Sequence, residues 1–218
     1  MANRPVYIAI ENFPYVKRID IDFKFYSGFS DKQKRLCIKS LHAAFLNLYP
    51  EKSVLEISTK SENPLGVKLS AFNLPVKIPN SDKFTVLESA YQGSKIFENG
   101  GAFTDLMYKN PREAKKDSRL KNSGKLIGFQ FGENKFPLKP INLFYNWLYI
   151  TALAAQTEIV AEILNCDAFT DIEFNPKKSV STQAMAAAVF AGLNRAGLIR
   201  SALETKENFL EIVYHGNF

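Results

Sequence analysis

The alternation of apolar and polar residues predicts two strands and a helix at the start of the chain. Residues 5–13 and 17–26 alternate apolar with polar side chains, which is typical of half-buried strands. Ser30 or Asp31 can then cap a helix that runs to about Tyr49, because the apolar residues in between repeat at helical spacing. The pattern therefore predicts an N-terminal strand–strand–helix unit.

The rest of the chain predicts short strands around a mainly helical core. We expect residues 1–52 to be an accessory part and residues 53–218 to be the main domain, or both to form one integrated domain. Further elements are strands at 54–59, 67–78 and 208–214, a loop or short strand at 166–178, a hairpin that turns at 132–134, and helices from about 86, at 110–121, at 141–164 and at 181–196. The fold class predicted is α+β.

Composition narrows the class of protein only slightly. Hydrophobic residues make up 46% of the 218-residue chain, which is sufficient for a packed core. The net charge of +6 mildly favours an anionic partner, either nucleic acid or a phosphorylated ligand, although many soluble proteins are equally basic.

Cysteine usage and hydropathy predict neither a metal site nor a membrane span. Cys37 and Cys166 are too few and too far apart for a metal cluster or a disulfide framework. No segment approaches the ~20 apolar residues of a membrane span. The start of the chain lacks a signal-peptide pattern, so we expect a cytoplasmic protein without a metal or a cofactor.

The stretch from Phe84 to Tyr108 carries the densest candidate chemistry. Helical spacing places Glu88 and Gln92 one turn apart, and likewise Gln92 and Lys95, so an acid, an amide and an amine would face one space. An ordinary amphipathic helix has the same pattern, with Lys95 as the ion-pair partner of Glu88. The chain has two histidines and no glycine-rich nucleotide fingerprint, which leaves glycosidic-bond chemistry, Schiff-base chemistry or binding alone.

Five segments of the chain resemble motifs of the NADAR superfamily in the order in which that family has them. LESAYQGSKIF resembles the signature S-E-x-x-x-Q-A-x-K-F, with Glu88, Gln92, Lys95 and Phe97 in register. The others are GVKLSAF with Gly66, Ser70 and Phe72, NPREAKKDSR with Pro111, Ala114 and Arg119, FYNWLYITAL, and CDAFTD with Asp167 and Phe169. The resemblance covers roughly Val54 to Gly197, and it is closest to the NADAR antitoxins that accompany DarT-type DNA ADP-ribosyltransferase toxins.

Three positions depart from the family pattern. Ala71 stands in place of the Asn of S-N-F, and Gly93 in place of the Ala that follows the Gln. Thr170 and Asp171 replace a Trp-Gly pair, so the acid of this loop is either Asp167 or Asp171.

The resemblance implies an ADP-ribosyl hydrolase that acts as the antitoxin of a toxin–antitoxin system. Its substrate would be DNA with ADP-ribose on guanine bases, and ADP-ribose would be its product. Other family members hydrolyse N-glycosidic bonds of riboflavin-pathway intermediates, and an ADP-ribose-binding module without activity is a further alternative. Residues 1–52 lie outside the family motifs and would supply a surface for DNA, for the cognate DarT-type toxin or for a second copy.

The chemistry of this bond assigns the expected catalytic roles. Cleavage needs a proton for the departing nitrogen and stabilisation of a positive sugar carbon, so Glu88 is the expected acid and base. A lysine Schiff base to the opened sugar would use Lys95, with Lys60 and Lys68 as alternatives, and it needs an amine of lowered pKa.

The expected substrate-binding residues come from the same motifs. Gln92 would hold the ribose or the base, and Arg119 the diphosphate, because a guanidinium group pairs with two phosphate oxygens. Trp147 and Phe169 are candidates for stacking, and Asp105 for a contact with sugar or base. The other candidates are Ser70, Phe72, Asp167 and Asp171.

Overall fold

Helices and short strands alternate along the chain in a mixed α+β fold, as the sequence predicts. The structure is a computed structural model that describes residues 1–175 and 181–216. The elements are β1 (Ala2–Ala9), β2 (Val16–Phe23), α1 (Asp31–Leu48), β3 (Val54–Glu56), α2 (Pro64–Lys68), β4 (Pro75–Lys77), β5 (Phe84–Val86), α3 (Leu87–Gly93), β6 (Lys95–Phe97), a 3-10 helix (Thr104–Tyr108), α4 (Pro111–Lys116), α5 (Arg119–Asn122), β7 (Leu126–Phe131), β8 (Asn134–Phe136), α6 (Leu143–Ala154), α7 (Thr157–Leu164), β9 (Ala168–Thr170), α8 (Gln183–Arg195), α9 (Ile199–Glu204) and α10 (Lys206–Tyr214). Part of the loop predicted at 166–178 lies outside the described residues.

A four-stranded sheet brings distant parts of the sequence together in the order β2-β1-β9-β3. β1 and β2 are antiparallel, from Ala2 opposite Phe23 to Ala9 opposite Val16. β9 is antiparallel to β1 and parallel to β3, so it joins the N-terminal hairpin to the rest of the chain. The division at residue 52 into two domains stays a prediction.

Helix α1 covers this sheet with an apolar face. The Ser30 side chain accepts the N–H of Gln33 and caps the helix, as the sequence predicts. Cys37, Leu41 and Phe45 are buried at helical spacing, and they form one cluster with residues of β1, β2 and β9. Burying each such leucine or phenylalanine stabilises the fold by about 1.5–3 kcal/mol.

The larger core surrounds the alanine-rich helix α8. Alanines have the smallest side chains that still favour helix, so α6 and β1 can approach α8 closely. Gly192 lets the turn between β1 and β2 approach the helix, since a Cβ there would lie 2.3 Å from the carbonyl oxygen of Tyr15. Gly197 follows the helix with a φ of +71°, which confirms the predicted helix end.

Two predictions of extended structure were wrong. The segment 67–78 begins inside helix α2, which is capped by the Asn63 side chain and starts at Pro64, and only its end forms strand β4. Residues 208–214 belong to helix α10, because Thr205 caps it and Phe209 and Val213 are buried one turn apart. A segment of seven residues with mixed polarity fits both the spacing of a strand and that of a helix, and its tertiary packing decides which one forms.

Two predicted long helices are broken. The helix expected at 141–164 is two helices, α6 and α7, which bend by 109° at Ala155 and Gln156. Within the described residues, no single helix has the length and apolarity to cross a membrane. Helices α6 and α7 reach that length and apolarity only when they are counted together. The helix expected at 110–121 is interrupted at Asp117, whose side chain accepts the backbone N–H of Arg119.

Candidate active site

Helix α3 carries the acid and the amide, and backbone bonds hold its N-terminus. No side chain caps this helix, which begins after Val86. Instead, the N–H groups of Leu87 and Glu88 donate to the carbonyl oxygens of Leu74 and Ala71, both at 2.8–2.9 Å. The segment that contains the predicted LSAF motif therefore positions the helix that contains the signature motif.

Glu88 and Gln92 are buried together, with 7% and 5% of their surfaces exposed. The Gln92 amide donates to Glu88 Oε1 at 2.8 Å, which confirms the predicted contact one turn apart. Lys115 of α4 approaches the same carboxylate oxygen at 3.4 Å. Within the described residues Gln92 Oε1 has no hydrogen-bond partner although it is buried. Such an acceptor is costly unless a ligand or water supplies a donor.

Lys95 does not lie on the helix, which corrects the expectation from spacing. Helix α3 ends at Gly93, and Lys95 begins strand β6. Its amine lies 4.9 Å from the centre of the Tyr91 ring, and no carboxylate of the described residues is within 4.0 Å of it. Burial lowers the pKa of Lys95, the Lys115 charge lowers it further, and the Glu88 charge opposes both. The Glu88 charge thus affects the pKa of the Lys95 amine although the two groups form no ion pair.

The alternative lysines have different surroundings. The Lys60 amine forms an ion pair at 2.8 Å with Asp31, the first residue of α1. Lys68 ends helix α2 and is exposed. Lys95 is half-buried, its pKa is lowered by burial, and its amine lies in the field of Glu88, so the geometry favours it as a nucleophile.

The LSAF segment contacts the acid through Lys115. Phe72 is half-buried, and the Lys115 amine lies 5.4 Å from the centre of its ring. The buried Ser70 hydroxyl donates to the Val67 carbonyl and accepts from the Asn73 amide, so it already has partners within its own turn. Phe72 is thereby next to the acid, whereas Ser70 shapes the loop.

Two tyrosines outside the predicted site residues complete this space. Tyr91 and Tyr145 meet edge to face, with ring centroids 5.3 Å apart. Burial raises the pKa of Tyr145 strongly, and the charges of Glu88 and Asp171 raise it further. Tyr145 therefore lies within the field of both carboxylates. Trp147, in contrast, packs against Phe136 and belongs to the rim of the core.

The two acids predicted in the C-terminal loop have different roles in the structure. Asp167 Oδ2 accepts the N–H and the hydroxyl of Ser53, both at 2.9 Å. Burial alone would raise the pKa of Asp167, but these bonds hold it below its usual value. Phe169 is fully buried in strand β9. Asp167 and Phe169 thus stabilise the sheet in this structure.

Asp171 is the acid whose field reaches the tyrosines. Its Oδ1 accepts the N–H groups of Glu173 and Phe174, and its Oδ2 accepts the Thr182 hydroxyl. Burial and the neighbouring charge of Glu56 raise the pKa of Asp171 to about 8. A carboxyl group of this kind can hold a proton near neutral pH.

A buried chain of hydrogen bonds lies behind this acid. His42 Nε2 and Thr170 Oγ1 are 2.8 Å apart, and Thr170 donates to Glu56 Oε2 at 2.6 Å. Burial lowers the pKa of His42 to about 4 and raises that of Glu56. Among the described residues, no group of three or more His, Cys, Asp or Glu side chains is arranged to hold a metal ion.

Arg119 and Asp105 form an exposed cluster with Asp117. The guanidinium donates to both oxygens of Asp105, at 3.1 and 2.6 Å, and to both oxygens of Asp117. It also lies 4.6 Å from the centre of the Phe103 ring. The pairing raises the pKa of Arg119 and lowers those of both aspartates. A diphosphate would have to displace Asp105 to reach this group, and that role stays a prediction.

The fold and the site define a mixed α+β protein with a buried acid–amide pair beside a desolvated lysine. The family model described as DarT1-associated NADAR antitoxin matches residues 2–218. The chain therefore belongs to the DarT1-associated NADAR antitoxin family, and the predicted resemblance is confirmed. A search of curated proteins finds no match to this chain.

Proposed function

We propose that the protein removes ADP-ribose from guanine bases of DNA by hydrolysing the N-glycosidic bond, and thereby acts as the antitoxin to a DarT1 toxin. Membership of a DarT1-associated NADAR family supports an antitoxin role and ADP-ribosyl hydrolysis in general. The observation that carries the proposal is the Lys95 amine, whose pKa is lowered by burial, beside the buried pair of Glu88 and Gln92.

The proposed reaction uses two groups of this site. The bond from the anomeric carbon to the ring oxygen first breaks, with a proton from Glu88 to that oxygen, which leaves the carbon double-bonded to the guanine nitrogen. The lone pair of the Lys95 amine attacks this carbon, a carbon–nitrogen bond forms, and the electron pair of the double bond moves to the guanine nitrogen. Glu88 takes the proton that the Lys95 nitrogen loses and passes it to the guanine nitrogen, whose bond to the carbon then breaks and leaves a lysine Schiff base. Water adds to the resulting lysine Schiff base, which releases ADP-ribose and restores the amine. Glu88 accepts a proton from that water and returns to its starting state.

The neighbouring groups support each step. Gln92 holds the Glu88 carboxylate in place, and its free Oε1 is available to accept a hydroxyl of the ribose. Lys115 adds a positive charge that keeps the pKa of the Lys95 amine low. Asp171, with a pKa of about 8, is a second proton donor near the tyrosines.

The test is release of ADP-ribose from an ADP-ribosylated oligonucleotide. Glu88→Gln should slow release by about 10²–10⁴-fold, the usual contribution of a general acid or base. Lys95→Met should abolish both release and the covalent adduct trapped by borohydride, whereas Lys60→Met serves as a control for loss of a paired lysine. Circular dichroism would establish that each variant is folded.

Other outcomes would reject the proposal. If the folded wild-type protein releases no ADP-ribose but binds it tightly, and Glu88→Gln binds equally well, the protein is a binding module. If it hydrolyses a riboflavin-pathway intermediate and leaves the oligonucleotide intact, it is a glycosidase of small metabolites.

A further inference from the structure

A surface groove lies beside the candidate active site and has no role in the chemistry proposed above. It has a volume of about 330 Å³ and is formed by the turn after β4, the 3-10 helix and the end of β7. Its lining includes Ile78, Met107, Tyr108 and Gln130. Polar and apolar surface contribute similarly to the lining, so a ligand with a flat ring and polar edges would fit it.

An aromatic ring and a lysine stand together at the edge of this groove. Tyr108 is 59% exposed, whereas Ile78 and Met107 of the same lining are buried. The Lys83 amine lies 5.7 Å from the centre of that ring, and no carboxylate of the described residues is within 4.0 Å of it. On the same hairpin Phe84 is 65% exposed. Exposed rings beside an unpaired cation match the recognition of single-stranded nucleic acid, in which bases stack and phosphates pair.

The groove and the candidate active site share their supporting elements. Met107 lines the groove and also touches α3, since a Cβ on Gly93 would lie 2.8 Å from Met107 Cγ. The N–H of Gln130, another lining residue, donates to the carbonyl of Ser94, the residue before Lys95. Ser89 of α3 donates to the Lys109 carbonyl just after the 3-10 helix. A ligand in the groove would thus be held by the same elements that hold the acid and the amine.

We propose that this groove binds the single-stranded DNA next to the modified guanine, with one neighbouring base stacked on Tyr108 and its phosphate paired with Lys83. The inference rests on the proposed function and names how the protein recognises DNA in addition to the ADP-ribose group. A basic chain with a net charge of +6 is compatible with such a partner.

The test compares two substrates, an ADP-ribosylated oligonucleotide and ADP-ribosylated guanosine monophosphate, which lacks the flanking strand. For Tyr108→Ala, the ratio of the KM for the oligonucleotide to that for the mononucleotide should rise by about 5- to 100-fold, the effect of losing one stacked base. Tyr108→Phe keeps the ring and should restore the wild-type ratio. For Lys83→Ala, the slope of log KM for the oligonucleotide against log salt should fall by about 0.7.

The chain offers a matched control in Lys206, whose amine lies 5.8 Å from the centre of the Phe136 ring, away from the groove lining. Lys206→Ala should leave both the ratio and the salt slope unchanged. If the wild type cleaves both substrates and Tyr108→Ala leaves the ratio unchanged, the groove is not a DNA site and only this inference fails. If the wild type cleaves neither substrate, the proposed function fails and this inference fails with it. If Tyr108→Ala instead loses binding to a toxin while the ratio stays constant, the groove binds protein and the inference is overturned.

Discussion

Replacing Asp171 with asparagine should stabilise the protein relative to the wild type, and this gain should grow as the pH rises towards 8. Burial and the Glu56 charge raise the pKa of Asp171 to about 8. The folded protein therefore holds a proton that the unfolded chain releases above about pH 4. Asparagine keeps an acceptor for the N–H groups of Glu173 and Phe174 and has no charge to bury.

The sign and size of this effect follow from linkage. A raised carboxyl pKa contributes stability that is fully present below pH 4 and is lost as the pH rises through about 8. One proton changes the free energy of unfolding by at most about 2.7 kcal/mol between pH 5 and pH 7. Asp171 is only half-buried, so screening by solvent reduces this maximum, and we expect a loss of about 1 kcal/mol.

Urea unfolding at pH 5, 6, 7 and 8 would measure the effect for the wild type and for Asp171→Asn. His42, whose pKa burial lowers to about 4, contributes the opposite slope below about pH 6.5 in both proteins, so the difference between them is the quantity to follow. The free energy of unfolding of Asp171→Asn minus that of the wild type should increase from pH 5 to pH 8. Asp82→Asn is the matched control, because the Asp82 side chain is fully exposed and its loss should leave that difference constant. A difference between Asp171→Asn and the wild type that is constant from pH 5 to pH 8 would refute the assignment.

Two further substitutions test the packing behind the site. Gly192→Ala should lower the midpoint of thermal unfolding, with a net loss of about 1–3 kcal/mol from overpacking. The clash with the Tyr15 carbonyl outweighs the gain of about 1 kcal/mol that alanine brings to a helix. Thr170→Val should lower the free energy of unfolding by about 1–3 kcal/mol, because Glu56 and His42 lose their common hydroxyl partner. Unfolding midpoints equal to that of the wild type would contradict either prediction.

The sequence predicted those features that are set by residues a few positions apart along the chain. Ser30 caps α1 through Gln33, and Asn110 caps α4 through Arg112, both within three residues. The segment around Phe169 was predicted as a loop or short strand. Its strand partners were not predicted, because parallel pairing with β3 joins residues more than 110 positions apart. The break between α6 and α7 has no proline or glycine to mark it. The helical spacing of apolar residues continues across it, so the sequence predicted a single helix.

The same distinction holds for the candidate site. The bond between Gln92 and Glu88 spans four residues of one helix, and spacing alone predicted it. Spacing placed Lys95 on the same helix, where it does not lie, and only the tertiary fold returns its amine to the field of Glu88. Tyr145 and Asp171 enter this field from other elements, so no local pattern indicates that they approach it.

Ala71 and Thr170, where the chain departs from the NADAR pattern, make contacts on which the site depends. Ala71 is buried. Its carbonyl oxygen accepts the backbone N–H of Glu88, and its own N–H donates to the Gln183 side chain at 2.7 Å. A buried asparagine side chain at this position would need partners of its own, whereas alanine leaves the backbone to join α3 to α8. Thr170 supplies the hydroxyl between His42 and Glu56 that a tryptophan could not.

Gly93 connects the candidate active site to the groove. A Cβ at this position would lie 2.8 Å from Met107 Cγ and 3.3 Å from the Phe103 carbonyl oxygen. An alanine, which the family pattern has here, would push the 3-10 helix away from α3 and move the wall that carries Tyr108. If the groove binds DNA, Gly93→Ala should therefore weaken recognition of the strand while Glu88 and Gln92, on a neighbouring face of the helix, keep their bond. The glycine thus couples the position of the groove wall to that of the helix that carries the acid.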